Sequence, residues 1–295
     1  EQLQQIVKNY HPQAQLLKYW KLVGGISAQT IALEIALNDT TQNIVMRVHG
    51  DKDRARNPKI AQDEYKLLDI LHSAGLPVPK PYIVDSNNQI LPTSYMVIGY
   101  IMGTTEFSSD ISLSKLHKLV NNLTRIHQID LTSHDLSFLP QQPDGLERYL
   151  QQDALTNNRI YDALKHAYPY TKMNKSTLLH GDYWLGNILW NEDEIVGIID
   201  WEDAMLGDPL SDLGKSRLEL TWVSGHNMAE KYTQLYQTQM PHTNMSHLAF
   251  WDLWGAVRLS DFANWFDDIA KVNKMQNLCD EFVEQAIQKL QMMEE

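Results

Sequence analysis

A single cysteine, Cys279, stands among the 295 residues, so no internal disulfide can form, and the chain fits a reducing compartment. Cys279 reads as a small buried hydrophobe in a helix rather than as a nucleophile. No apolar run approaches the roughly 20 residues that a membrane helix needs. The opening residues Glu1-Gln2-Leu3-Gln4-Gln5 are polar and lack the basic start of a secretory leader. The expectation is a soluble, cytoplasmic protein with no membrane partner. Basic residues are also few, with 25 Lys and Arg against 37 Asp and Glu and a net charge of −12. A phosphate backbone needs clustered cations, so nucleic acid is excluded as a partner. A cationic substrate remains compatible with this balance. No internal repeat, low-complexity tract or obvious linker interrupts the chain.

Hydrophobic residues make up 43% of the sequence and charged residues 21%, enough apolar material for a sizeable core. The length favours two domains over one. Leu3, Ile6, Val7 and Tyr10 recur at helical spacing ahead of Pro12. Strand-like runs follow at 16–23, 30–37 and 43–49, with Gly24-Gly25 and Asn38-Asp39-Thr40-Thr41 as the turns between them. The third run, IVMRV, sets Arg47 among apolar neighbours. A helix at 58–72 is entered through Asn57-Pro58 and closed by Gly75, and it carries Glu64 in its first two turns. Pro77, Pro79 and Pro81 stiffen the link to two further strand-like runs at 82–84 and 94–100.

Beyond Gly103 the pattern turns helical. Leu113, Leu116, Leu119, Val120, Leu123 and Ile126 form one stripe that ends at His127, read as a structural histidine. Further helix is expected within 145–168, then at 210–220, 229–239, 247–270 and 277–292. Seven of the eight tryptophans fall between Trp184 and Trp265. Glu219, Trp222, Asp252, Asp261, Trp265 and Asp267 give this half an acidic, aromatic character. Two readings stay open there: amphipathic helices that bury Trp and expose Asp, or a pocket for an ammonium group.

The most informative stretch is 178–213, LLHGDYWLGNILWNEDEIVGIIDWEDAMLGDPLSDL. Its runs at 188–190 and 195–199 flank the polar turn Asn191-Glu192-Asp193-Glu194 and read as a hairpin. Asp182 precedes that hairpin and Asp200 follows it, so pairing of the strands is expected to bring their carboxylates to one edge, with Asn187 near both. Two carboxylates and an amide form a hard oxygen site that suits Mg²⁺ with substrate phosphates. Phosphoryl transfer needs such a set.

The pattern H-G-D-x-x-x-x-N, then I-D-W-E, then G-D-P-x-x-D-L resembles the aminoglycoside phosphotransferase and choline kinase superfamily. The resemblance covers nearly the whole chain. It implies an α+β, protein-kinase-like bilobal fold. An N-terminal nucleotide-binding lobe of antiparallel sheet plus helix (1–99) would precede a larger, mainly helical catalytic and substrate-binding lobe (100–295). It implies Asp182 as catalytic base, Asn187 and Asp200 as Mg²⁺ ligands, and ATP or GTP as co-substrate. Gly24 and Gly25 lie in the place of the nucleotide loop, and Tyr100 and Ile101 in that of the segment whose backbone meets adenine. Arg47 and Glu64 stand where a Lys–Glu pair is usual, with Arg replacing Lys. His180 would brace the loop, Glu202 and Asp203 would meet substrate or support the metal ligands, and Asp208 and Asp212 would tie the following helix to the loop.

No D-F-G or A-P-E pattern occurs, which disfavours a protein substrate. The histidines lack metal-binding spacing near His180, which disfavours a metal-dependent hydrolase. The favoured reading is a small-molecule kinase acting on a hydroxyl of a small acceptor, amine-bearing if the acidic half is a guide. A nucleotide-binding pseudokinase without turnover is the alternative, and Arg47 is its one support. Acceptor identity and oligomeric state have no signature in the sequence.

Overall fold

The computed structural model describes residues 1–22, 28–105, 111–151, 158–168 and 174–292. Chain contacts divide it into two compact units, Glu1–Thr104 with Val196–Glu202, and Thr105–Ile195 with Asp203–Glu295.

The first unit is built on a five-stranded antiparallel sheet. Its strands are β1 (Gln15–Lys21), β2 (Gln29–Leu37), β3 (Thr40–Val48), β4 (Pro81–Asp85) and β5 (Tyr95–Gly99), in the order β1-β2-β3-β5-β4. The β2–β3 turn places Asn38 and Asp39 at φ 50° and 59°, the left-handed pair that the twist of a tight hairpin requires and that these two residue types tolerate. Helix α1 (Gln2–Tyr10) covers the sheet with Ile6 and Val7, which join Leu33, Ile35, Ile44, Met46 and Val97 in one core. Fully burying each such side chain contributes roughly 1.5–3 kcal/mol.

A short helix, α2 (Asp51–Arg56), follows β3. It was not expected from the sequence, because six residues are too few for a periodic pattern. Its charges nevertheless suit the helix dipole, with Asp51 and Asp53 in the first turn and Arg54 and Arg56 in the last. Helix α3 (Ile60–Ser73) buries Ile60, Ala61, Leu67, Leu68 and Leu71 at helical spacing, and Glu64 sits within that apolar stripe. It closes through Gly75 at φ 75°, the left-handed position that glycine fills without strain.

Segment Val196–Glu202 belongs with this unit through specific bonds: Ile198 N–H donates to the Pro77 carbonyl at 2.7 Å, and Arg56 Nη2 donates to the Glu202 carbonyl at 3.1 Å.

The second unit is mainly helical: α4 (Leu113–His127), α5 (Gln142–Leu150), α6 (Arg159–Ala167), α7 (Leu210–Ser224), α8 (His226–Gln239), α9 (Leu248–Arg258) and α10 (Ile269–Met292). Short strands β6 (Thr177–Leu179) and β9 (Met205–Gly207) pair antiparallel, with Leu178 opposite Leu206. The functional stretch runs from β6 through strands β7 (Ile188–Asn191) and β8 (Glu194–Ile198), which turn at Glu192, φ 55°.

One expectation is corrected. Residues 247–270 are not one helix: α9 stops at Arg258, a 3₁₀ turn occupies Phe262–Trp265, and α10 begins at Ile269. The break has a local cause. The Asp268 carboxylate accepts the Lys271 N–H at 3.1 Å, an N-terminal cap that starts a new helix eight residues before the expected 277.

Helix α7 organises this unit. Every residue from Leu210 to Thr221 is buried, including Asp212, Lys215, Arg217 and Glu219. A helix buried all round has no polar face to signal its register, so each of its charges must find a partner inside.

Candidate active site

The loop after β6 is held from several sides. The His180 and Gly181 N–H groups donate to the two oxygens of Asp212, at 2.7 and 2.9 Å. His127 backs that carboxylate, with Nε2 3.3 Å from Asp212 Oδ2 and Nδ1 2.8 Å from the Tyr236 hydroxyl. Burial would raise the Asp212 pKa, but the His127 hydrogen bond and the charges around it keep it lowered. Gly181 lies at φ +80°, and a Cβ there would stand 2.1 Å from the Asp203 carbonyl oxygen. Only glycine fits. Arg258 closes the other side, donating from Nη1 to the Gly181 carbonyl at 2.6 Å and from Nη2 to Asp203 Oδ2 at 2.9 Å.

This frame presents Asp182. Its backbone N–H donates to His180 Nδ1 at 3.2 Å, so His180 is an acceptor there and a brace. Asn187 Nδ2 donates to both the Asp182 carbonyl, at 2.9 Å, and Asp182 Oδ2, at 2.8 Å. The other carboxylate oxygen, Oδ1, accepts from the ammonium of Lys215, which also donates to Glu219 Oε1 at 2.9 Å. Burial would raise the Asp182 pKa, yet the Lys215 charge and hydrogen bond outweigh it and hold Asp182 below the ordinary carboxylate value. An ionised, oriented carboxylate therefore stands at the end of the loop.

The first unit carries a second polar cluster. Arg47 Nη2 donates to Asp200 Oδ1 at 2.6 Å and to Glu202 Oε2 at 2.8 Å, and its Nε stands 3.3 Å from Glu64 Oε2. Glu64 also pairs with His49. Burial would lower the Arg47 pKa, but Glu64, Asp200 and Glu202 together hold it raised. Burial would likewise raise Glu64, which Arg47 and His49 instead bring down to about 2. Asp200 lies at φ +68°, a left-handed conformation uncommon outside glycine and one that often marks functional positions.

A sequence model of the phosphotransferase enzyme family matches residues 23–251. The chain belongs to the phosphotransferase enzyme family. Among curated relatives it is 27% identical to acyl-CoA dehydrogenase family member 11 of Gallus gallus, over 190 residues covering 56% of this chain and 24% of that one. The chain thus spans about a quarter of that relative's length. Among solved structures, a putative aminoglycoside phosphotransferase from Ralstonia eutropha superposes with a TM-score of 0.72 at 17% identity, covering 99% of this chain and 98% of the other. A thermostable mutant of aminoglycoside phosphotransferase APH(4)-Ia, in a ternary complex with AMP-PNP and hygromycin B, gives 0.66 at 14% identity, covering 96% and 97%. The fold is accordingly α+β and kinase-like.

Against this family frame, the structure brings Asp182 and Asn187 together, and likewise Arg47, Glu64 and Asp200. Tyr100 and Ile101 follow β5 directly, both half-buried, with the Tyr100 ring edge-on to Trp20 at 6.1 Å. Gly24 and Gly25 lie outside the described residues. Lys215 was missed, and Glu219 was read only as part of the acidic, aromatic half and not as its partner. Their signal was present as an i, i+4 pair just after the G-D-P-x-x-D-L motif of the phosphotransferase, but such pairs usually mark a solvated helix face. Glu202 was expected near substrate or metal ligands, and its carboxylate engages Arg47; Asp203 instead anchors Arg258.

The acidic, aromatic half of the phosphotransferase divides in the same way. Glu219 has Lys215 as its cation, and Asp252 accepts from Arg217 Nε at 2.9 Å in a buried pair. Trp222 packs on Phe262 and Trp265 and donates from Nε1 to the Met275 carbonyl at 2.9 Å. Neither carboxylate is an unengaged anion on an open face. Glu219 does line a small, largely apolar hollow with Leu119, Trp184, Leu185, Leu220 and Val223, and its Oε2 has no hydrogen-bond partner. Burial raises the Glu219 pKa to about 7 despite the neighbouring Lys215.

Proposed function

We propose that this phosphotransferase moves the γ-phosphoryl group of ATP or GTP to a hydroxyl of a small acceptor, with Asp182 as the base. The observation that carries the reading is the ionised Asp182 carboxylate, part-buried on a clamped loop and held at both oxygens. A loose phosphoryl-transfer transition state demands positioning and charge stabilisation more than a strong base. In the step proposed, the acceptor O–H bond breaks and its proton passes to Asp182. The acceptor oxygen bonds to the γ-phosphorus while the bridging P–O bond breaks, and that electron pair leaves with the nucleoside diphosphate. Asp182 then returns its proton to solvent or product.

Asn187 and Asp200 are the proposed magnesium ligands. The donor chemistry fits: the Asn187 amide nitrogen is spent on Asp182, which leaves its carbonyl oxygen as the donor, and Asp200 supplies a carboxylate. Both are hard oxygen ligands. Bound magnesium would neutralise phosphate charge. Arg47, fixed by Glu64, is the proposed phosphate-facing cation, and the backbone at Tyr100 and Ile101 the proposed adenine contact.

One observation speaks for the alternative of a nucleotide-binding protein without turnover: Arg47 is already engaged by Asp200 and Glu202. ADP and GDP release, measured with Mg²⁺ across aminoglycosides, macrolides, amino alcohols, hydroxy amino acids and sugars, separates the two. Turnover with one class and none with Asp182→Asn supports the kinase. Nucleotide binding with silence across the panel supports the alternative.

A further inference from the structure

Lys215 is 4% exposed, and removing an ammonium from water costs several kcal/mol before its partners are counted. Burial would lower its pKa, but Glu219 and Asp182 more than offset that and it is raised. Its backbone is fixed as firmly as its charge. A Cβ on Gly255 would stand 2.9 Å from the Lys215 Cα, and one on Gly214 would stand 2.5 Å from the Trp251 carbonyl oxygen. Helices α7 and α9 therefore approach backbone to backbone at Lys215, leaving no room for a side chain at Gly214 or Gly255. From this fixed point the ammonium reaches Asp182 Oδ1, while Glu219, one turn on, holds it at 2.9 Å.

The terminal torsion of an aspartate is broad, so a carboxylate held at one oxygen samples many orientations. Asn187 grips Oδ2 alone. The second grip is what sets the plane. We propose that Lys215 is a positioning residue for phosphoryl transfer, fixing the Asp182 carboxylate against Asn187 while Glu219 fixes Lys215. The proposal rests on the reading of Asp182 as the base. Lys215 keeps its proton throughout, and its part is geometric.

Two measurements test it, one of them independent of turnover. The first is a crystal structure of Lys215→Met, which fills the same space without the charge. The expected result is an Asp182 carboxylate rotated away from Asn187 or spread over several orientations, on an unchanged 180–187 backbone. An Asp182 carboxylate still held as in the wild type overturns the proposal. The second is kcat with MgATP or MgGTP and the acceptor found in the panel above. Lys215→Ala is expected to lose about 10²-fold in kcat, the cost of a misplaced catalytic group, with nucleotide Kd within about twofold of wild type. Propylammonium should restore at least tenfold to Lys215→Ala and nothing to Lys215→Met, whose side chain occupies the space. A kcat unchanged in Lys215→Ala, or a loss shared equally by nucleotide binding, overturns the proposal. If Lys215→Ala fails to fold, Lys215→Gln takes its place for kcat and nucleotide Kd. A displaced carboxylate in Lys215→Met together with a wild type silent across the panel counts against the kinase reading and leaves the positioning by Lys215 supported.

Discussion

Arg47 donates from Nη2 to Asp200 Oδ1 at 2.6 Å, so a strand residue and a residue 153 positions later form one ion pair within a single compact unit. The same guanidinium faces Glu64 and Glu202. Three carboxylates face this guanidinium, with His49 also on Glu64, so acidic groups outnumber basic ones, the setting in which an added cation and its phosphates would be attracted.

Removing that guanidinium strands buried charge. Arg47→Met is expected to destabilise the fold by about 3–5 kcal/mol, the usual cost of removing one member of a buried pair. Arg47→Lys keeps the charge but not the fork and should lose less. Denaturant midpoints of the three proteins check the order wild type, Arg47→Lys, Arg47→Met.

Glu64 gives the same cluster a pH signature. Its folded pKa of about 2 lies below the ordinary 4.5, so its contribution to stability is present above pH 4.5 and is lost as pH falls towards 2. Glu64→Gln removes that part of the acid dependence. Equal acid slopes in the variant and wild type, from thermal melts between pH 5 and 2, would contradict the assignment.

Glu219 runs in the opposite sense. Its folded pKa of about 7 lies above the ordinary 4.5, so the folded state binds the extra proton between those values and stability falls as pH rises from 4.5 to 7. Glu219→Gln is expected to flatten the Tm profile over that window. A slope that survives in the variant would show that another group is responsible.

Gly181 leaves no room for change. Gly181→Ala must relieve a 2.1 Å approach to the Asp203 carbonyl and adopt φ +80°. The loop is expected to shift, with turnover lost and stability lowered by about 1–3 kcal/mol. Wild-type kcat in the alanine variant would mean that the loop is not the catalytic frame.

Much of this was legible in the sequence because local patterns carried it. The strand-like runs of β2, β3 and β5, the glycine closing α3 and the stripe of α4 each predict their own element. The spacing of Asp182, Asn187 and Asp200 pointed to phosphoryl chemistry, and the pattern around Asp212 pointed to its tie to the loop. What was not legible depends on distance in the chain. Lys215 and Asp182 are 33 residues apart, and nothing local says that an i, i+4 pair on α7 faces inward. The break in residues 247–270 was masked by apolar residues on both sides of Ser260-Asp261, which kept the helical period alive. That Val196–Glu202 packs with the N-terminal unit follows from single bonds to Pro77, Arg47 and Arg56, which no periodicity encodes.

In the proposed reaction Asp182 serves phosphoryl transfer rather than nucleotide binding. The direct test compares wild type with Asp182→Asn in two assays, equilibrium binding of Mg-nucleotide and release of ADP or GDP with the acceptor panel. Nucleotide Kd is expected to agree within about twofold between the two proteins, with turnover in the wild type alone, a loss of at least 10²-fold for a misplaced or missing catalytic group. Turnover that survives in Asp182→Asn, or nucleotide binding that disappears with it, would mean that Asp182 is not the base.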